Sequence, residues 1–420
     1  MTQTLESQVI ESLRNGIPPE RGVDRYSVGN ERLIDGIRKY HLSKIRDAGK
    51  IRYISGSWGS GKTHFFRIIR DFAFQEKCIV SNVELTIDSA PFNKFEQVFY
   101  SIVGNMSTPT YYQEISSRDV TPFGSLVEES LRHLGGYQPD VSEDITHEQF
   151  SKAEEKLMAN KGIDIDFKKM IRHYWQTYLP ESAERAAIEQ ARAEILQWFA
   201  GEGTIGAYRK RFGVNKMVAR QNAKLMLQSL AEFVKLAGYS GLVILFDEAE
   251  QTYSIMRKSA LRDAHNNLLS LINNIEKIPG IFLIYATTPD FFTDPKHGII
   301  IYGGLSTRIG MPESRLPKAL DKVWNLDAVV PGLEDYQKVA IKIRNIYYAA
   351  FPESQNKIAD ETMTVQFVKE LFQKHPRLSA VKFWRVMVTA LIRKYDSEME
   401  GEEVPTEKVY ADTMDRLREE

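Results

Sequence analysis

Ile51-Arg-Tyr-Ile-Ser-Gly56-Ser-Trp-Gly-Ser-Gly61-Lys62-Thr63-His64-Phe-Phe carries an apolar strand into a glycine-rich turn and on into an amphipathic helix. Within it Gly56, Ser57, Trp58, Gly59, Ser60, Gly61, Lys62 and Thr63 spell Gly-x-x-x-x-Gly-Lys-Thr, with His64 following. Such a turn lets consecutive backbone N–H groups converge on phosphate oxygens, and the N-terminus of the next helix adds partial positive charge. In that setting Lys62 reaches the β- and γ-phosphates and the Thr63 hydroxyl ligates Mg²⁺. The expectation is a nucleoside triphosphate, with its Mg²⁺, seated at the end of a strand.

Working outward, residues 51–55 and 78–86 read as strands with the helix 62–75 between them. That is a β-α-β crossover, which calls for a parallel sheet with its ligand at the carboxyl edge. Gly241-Leu-Val-Ile-Leu-Phe246 is a third, deeply apolar strand, entered from an amphipathic stretch, 217–237, read as one helix. Ile281–Ala286 and 322–326 supply a fourth and a fifth. Five strands alternating with helices predict an α/β core covered on both faces. The expected organisation is an entry segment and first half of the core over 1–105, a helical insertion over 106–215 and the second half of the core over 216–331. A helical lid over 332–396 and an acidic tail over 397–420 complete it.

Composition bounds the partners. The 420 residues hold 55 Lys and Arg against 56 Asp and Glu, so no global field draws the chain to nucleic acid or to an anionic membrane. Any DNA contact has to come from a local patch. The one compact candidate is Tyr208-Arg-Lys-Arg211-Phe212-Gly-Val-Asn-Lys216, whose cations suit a phosphate backbone and whose Phe212 suits a base, or which is simply a solvated helix-joining loop. A single cysteine, Cys78, excludes an internal disulfide framework, and no leader-like segment precedes the first polar helix, 5–14. A cytoplasmic setting is expected, without a membrane span, because the longest apolar runs are strand-length.

The third strand ends in Asp247-Glu248. Asp247 at the strand tip suits the Mg²⁺ shell, and Glu248 suits a water poised for in-line attack on the γ-phosphate. The strand 281–286 ends in Thr287-Thr288-Pro289, where a hydroxyl, Thr287 before Thr288, can orient that water. Arg308 follows in Gly303-Gly-Leu-Ser-Thr-Arg308, either as a cation projected into the triphosphate of a neighbouring subunit or as a surface residue. Arg377 opens the helix read over 378–394 and is either a lid cation above the γ-phosphate or a solvated charge.

The order of these elements resembles the AAA+ branch of P-loop NTPases. Tyr26-Ser-Val28-Gly29-Asn30-Glu-Arg32 resembles the segment by which initiator-like members hold adenine, with Asn30 where arginine is usual. Val28 and Gly29 are the base-binding positions this implies, and the ligand it implies is ATP. Together with Ile10-Glu-Ser-Leu-Arg-Asn-Gly16-Ile-Pro-Pro, Glu194-Ile-Leu-Gln-Trp198, residues 241–250 and Pro376-Arg377, these motifs resemble the ATP-binding proteins of BREX bacteriophage-exclusion systems, above all the BrxD-like members. The resemblance spans most of the chain. It implies an ATP-hydrolysing, homo-oligomeric protein of bacterial antiviral defence, regulating a DNA-associated complex with a helicase or methyltransferase partner. The alternative is a nucleotide-gated adaptor with little turnover that recruits such a partner. The helical stretch 106–215 is longer than a simple module needs, and it is the expected seat of system-specific recognition. A winged-helix DNA-binding domain, usual in initiator-like members, is not expected here.

Overall fold

The computed structural model describes residues 4–113, 121–137, 145–180, 184–249, 256–375 and 383–419. The chain divides into two compact units, Asp35–Trp58 with Phe72–Leu326, and Met1–Ile34 with Gly59–Asp71 and Asp327–Glu420.

The first of these is built on a six-stranded sheet. Its strands are β1 (Lys50–Ser55), β2 (Ile79–Glu84), β3 (Met106–Ser107), β4 (Leu242–Asp247), β5 (Ile281–Thr287) and β6 (Val323–Asn325). Their order across the sheet is β3-β2-β4-β5-β1-β6. All pairings are parallel except that of β3 with β2, which is antiparallel. The five strands read from the sequence are therefore joined by a sixth, a two-residue edge strand with no hydrophobic pattern of its own to betray it. Parallel strands need crossovers that cover both faces. Accordingly Leu242 to Phe246 and Ile281 to Thr287 are buried along their whole length.

Between β3 and β4 lie the helices Pro122–Gly135, His147–Ala159, Ile165–Gln176, Arg185–Phe199, Ile205–Phe212 and Ala223–Leu236. Their core is aromatic: Phe199 meets Phe123, Phe167 and Trp198 edge-on at ring separations of 4.7, 5.0 and 4.9 Å. It is continuous with the core of the sheet. Beside it the half-buried Glu129 carboxylate accepts hydrogen bonds from Thr108 and Ser125, at 2.8 Å each, and from Tyr239. Such donors offset what the carboxylate loses in hydration.

Two boundaries depart from the sequence reading: the helix read to residue 394 runs on to Met399, and a second helix starts late. The stretch 217–237 is not one helix, because the helix begins at Ala223. Upstream of it the chain is captured by side chains from elsewhere: Asp166 accepts the Asn215 and Lys216 N–H groups at 3.0 and 3.1 Å, Trp198 donates to Lys216 O and Tyr100 to Val218 O. Backbone groups already engaged in this way cannot enter a helical ladder.

The second unit is helical. Leu5–Arg14, Leu333–Ala350, Glu361–Lys374, Phe383–Met399 and Thr406–Glu419 are its helices, together with the opening of Lys62–Gln75. Arg14 forms a bidentate pair with Asp396, Nε to Oδ2 at 2.8 Å and Nη2 to Oδ1 at 2.9 Å, and Tyr347 donates to the same carboxylate at 2.8 Å. That one carboxylate fastens three helices, and the pair lifts the Arg14 guanidinium pKa still higher.

Candidate functional site

In the sheet unit the carboxyl ends of β4, β5 and β1 lie side by side. Ser55 is in register with Thr287, and Phe246 with Tyr285. The chain leaving β1 stays on the ladder for one more residue, since Gly56 N–H donates to Thr287 O at 3.1 Å. Beyond it the loop turns through Gly59 at φ 74° and Gly61 at φ 91°. A Cβ on Gly61 would meet nothing within 4 Å, so it is the backbone conformation that requires glycine there. The loop then enters the helix Lys62–Gln75, where Phe65 N–H donates to Gly61 O at 2.8 Å. The first N–H groups of any helix have no partner within it, and these stand at the end of a glycine-rich turn.

Three hydroxyls here sit in unusual surroundings. Ser55 Oγ, Thr287 Oγ1 and Ser60 Oγ are buried and have no hydrogen-bond partner among the described residues. Ser55 and Thr287 occupy paired positions on parallel strands, so both side chains project from the same face of the sheet. Asp247 ends β4 and its Oδ1 accepts the Glu248 N–H at 3.0 Å. Glu248 adopts φ 54°, a left-handed conformation that few residues with a side chain take. On the far side of β4, Glu84 ends β2 in register with Asp247 and puts another carboxylate at this edge.

In the helical unit the Tyr26–Gly29 segment meets the start of the helix Lys62–Gln75. Ser27 Oγ lies 2.9 Å from His64 Nε2, and the Tyr26 and His64 rings are 5.6 Å apart. Burial pushes the His64 imidazole down to about 4, helped by Arg67, so the ring is neutral near pH 7. Gly29 N–H donates to Glu31 Oε2 at 3.0 Å. The approach to this segment is clamped: Arg67 donates to the carbonyls of Pro18 and Pro19, and Arg70 donates to Glu20 through both its side chain and its carbonyl.

The sequence candidates thus fall into sets. Gly56, Thr287, Asp247 and Glu248 meet at one sheet edge, where Ser57 and Trp58 continue the loop; Trp58 is 63 % exposed. Val28 and Gly29 accompany His64, on the helix that Lys62 and Thr63 open, with Lys62 buried and Thr63 exposed. Arg308 is exposed and bonds to Asn273 Oδ1 on a neighbouring helix and to Gly304 O on its own. Arg377 lies outside the described residues, as does Glu250. The base-stacking expectation for Phe212 is overturned: the ring is buried against His173 and Tyr208 at 5.3 and 6.1 Å, because an aromatic side chain at this helix end is worth more in the core than in water. Two cations of that cluster are also spoken for, Arg211 by Glu194 and Lys216 by Asp164. Sequence reading missed Ser55, Glu84 and the Ser27–His64 contact, because only strand register and packing bring these residues to their partners.

Among the described residues no helix is long and apolar enough to cross a membrane. The family described as BREX system ATP-binding protein BrxC/D matches the chain over residues 2–414. No curated protein matches it.

Proposed function

The chain belongs to the BREX system ATP-binding protein BrxC/D family, and from that premise we propose that it is a P-loop ATPase of the AAA+ type. Its ATP lies against the loop Gly56–Thr63. The observation that carries the reading is the sheet edge: a glycine-rich loop leaves β1, an acidic pair leaves β4, and the strand between them ends in a buried hydroxyl. Membership implies other components of the BREX system as partners.

In this reading the backbone N–H groups of residues 57–63 and the Lys62 ammonium hold the phosphates, and Val28 and Gly29 hold the base. Bound with the nucleotide, Mg²⁺ would be held by the Thr63 hydroxyl and Asp247 and would neutralise charge on the β- and γ-phosphate oxygens. Donor chemistry at both positions suits a hard cation, which takes oxygen ligands. Glu248 takes a proton from the attacking water, Thr287 orients that water, and the bond from the γ-phosphorus to its bridging oxygen breaks to leave ADP and phosphate. Arg308 acts on the triphosphate of a neighbouring copy, which makes the working form a homo-oligomer, and Arg377 acts on the γ-phosphate from the helical lid. Turnover regulates a DNA-associated defence complex in the cytoplasm, with residues 106–215 as the recognition segment.

Lys62→Ala tests the assignment of the loop. Titration with a fluorescent ATP analogue should show affinity falling by about a hundredfold or more, the loss of a phosphate-bound ammonium in an enclosed site. Wild-type affinity in that variant would remove the loop from the ATP site.

A further inference from the structure

Three segments of the helical unit converge on Ser27. Its hydroxyl carries one proton and directs it to Val23 O at 2.6 Å, so the contact at 2.9 Å with His64 Nε2 is made by the imidazole N–H donating to Ser27 Oγ. The Ser27 carbonyl is engaged independently: Lys342, in the middle of the helix Leu333–Ala350, donates its Nζ to it at 2.9 Å. An ammonium-to-carbonyl bond is charge-assisted and directional enough to hold two segments in register. Lys342 was not singled out by any motif. It stands 315 residues from Ser27 in sequence, and only the packing brings them together.

From this geometry we infer that Lys342 is a positioning residue for the nucleotide base, acting through Ser27. The inference rests on the reading above, in which Val28 and Gly29 face the base while the loop ending at Thr63 faces the phosphates. Lys342 holds the backbone one residue before Val28, and His64, one residue after Thr63, holds the Ser27 side chain. The two ends of the ligand are thereby set at a fixed separation. The helix Leu333–Ala350 is thereby tied to the base end. Lys342 touches no reacting atom, so its loss should be felt in discrimination between ligands that have a base and ligands that lack one.

The test compares dissociation constants of the full chain for ATP and for inorganic tripolyphosphate. In Lys342→Met, which keeps the aliphatic stem, ATP should bind about tenfold more weakly while tripolyphosphate binds as in wild type, and Lys342→Arg should recover most of the loss. Equal weakening of both ligands, or of neither, in a variant that melts at the wild-type temperature would overturn the inference. Should Lys342→Met fail to fold, Lys342→Gln removes the charge and shortens the reach to the Ser27 carbonyl, and the same base-dependent loss is expected; an unchanged ratio there overturns it. A wild-type chain that binds tripolyphosphate but shows no preference for ATP refutes the base-positioning role alone. One that binds neither refutes the ATP reading beneath it.

Discussion

Glu248 holds its backbone at φ 54°, at a cost of roughly 1–2 kcal/mol for a residue with a side chain. The Asp247 carboxylate braces it through the bond to its N–H. Thr287, one strand away, and Ser55, two strands away, each bury a hydroxyl without a partner among the described residues, and each such group costs about 1–3 kcal/mol. Apolar residues would serve a sheet better at both positions. The penalties gather at one edge, where phosphate oxygens and water would supply the missing partners. His41 and His265 show a different use of burial. Both rings are enclosed, which pushes each imidazole down to about 4 although Ala319 O accepts a bond from His41 Nε2. Each is neutral in the fold and charges near pH 6.5 once unfolded. The stability each contributes is therefore present above pH 6.5 and lost as pH falls through about 4, with a slope of up to about 1.4 kcal/mol per pH unit. The urea midpoint of the sheet unit should fall between pH 7 and pH 5, and His41→Gln should flatten that fall. A dependence as steep in the variant as in wild type would contradict the account. Asp71, in the other unit, is pushed up to about 6 by burial and has the opposite sign: its contribution is present at low pH and lost as pH rises through about 6.

At the scale of elements, the strands were the legible part. β1, β4 and β5 are apolar runs ended by polar or glycine-rich turns, and the sequence-read bounds differ from the observed ones by a residue at most. β3 was not legible, because two residues at an edge have no periodicity. The start of the helix Ala223–Leu236 was not legible either, since residues far off in sequence hold the chain before it. Glycine patterns mark one further joint. Gly201 follows the helix Arg185–Phe199 at φ 75°, and a Cβ there would come within 2.1 Å of the Tyr100 ring. Tyr100 in turn donates to Val218 O at 2.7 Å, so moving its ring breaks a bond. Gly201→Ala should lower stability by about 2–4 kcal/mol, from left-handed strain plus overpacking, as read by denaturant unfolding. Wild-type stability would show that the helix end relaxes freely away from Tyr100.

At the scale of the molecule, the family match covers nearly the whole chain, so the helices between β3 and β4 and those after β6 belong to the family's own pattern. The near balance of charge leaves recognition to local surfaces. Arg209 and Lys210 remain exposed where Arg211 and Lys216 are paired, which reduces the basic cluster to two cations. The candidate site was legible in the sequence wherever it is local, as in Gly56–Thr63 and Asp247-Glu248. It was illegible wherever it depends on register, as at Ser55 and Glu84, or on docking between distant segments, as at Lys342. The central claim is that this sheet edge hydrolyses ATP with Glu248 as the base. Phosphate release by the full chain, read beside ATP occupancy in Glu248→Gln, tests it most directly. The variant should bind ATP as tightly as wild type and release phosphate at least about a hundredfold more slowly. Release at the wild-type rate from Glu248→Gln, or none from the wild-type chain, would contradict the claim.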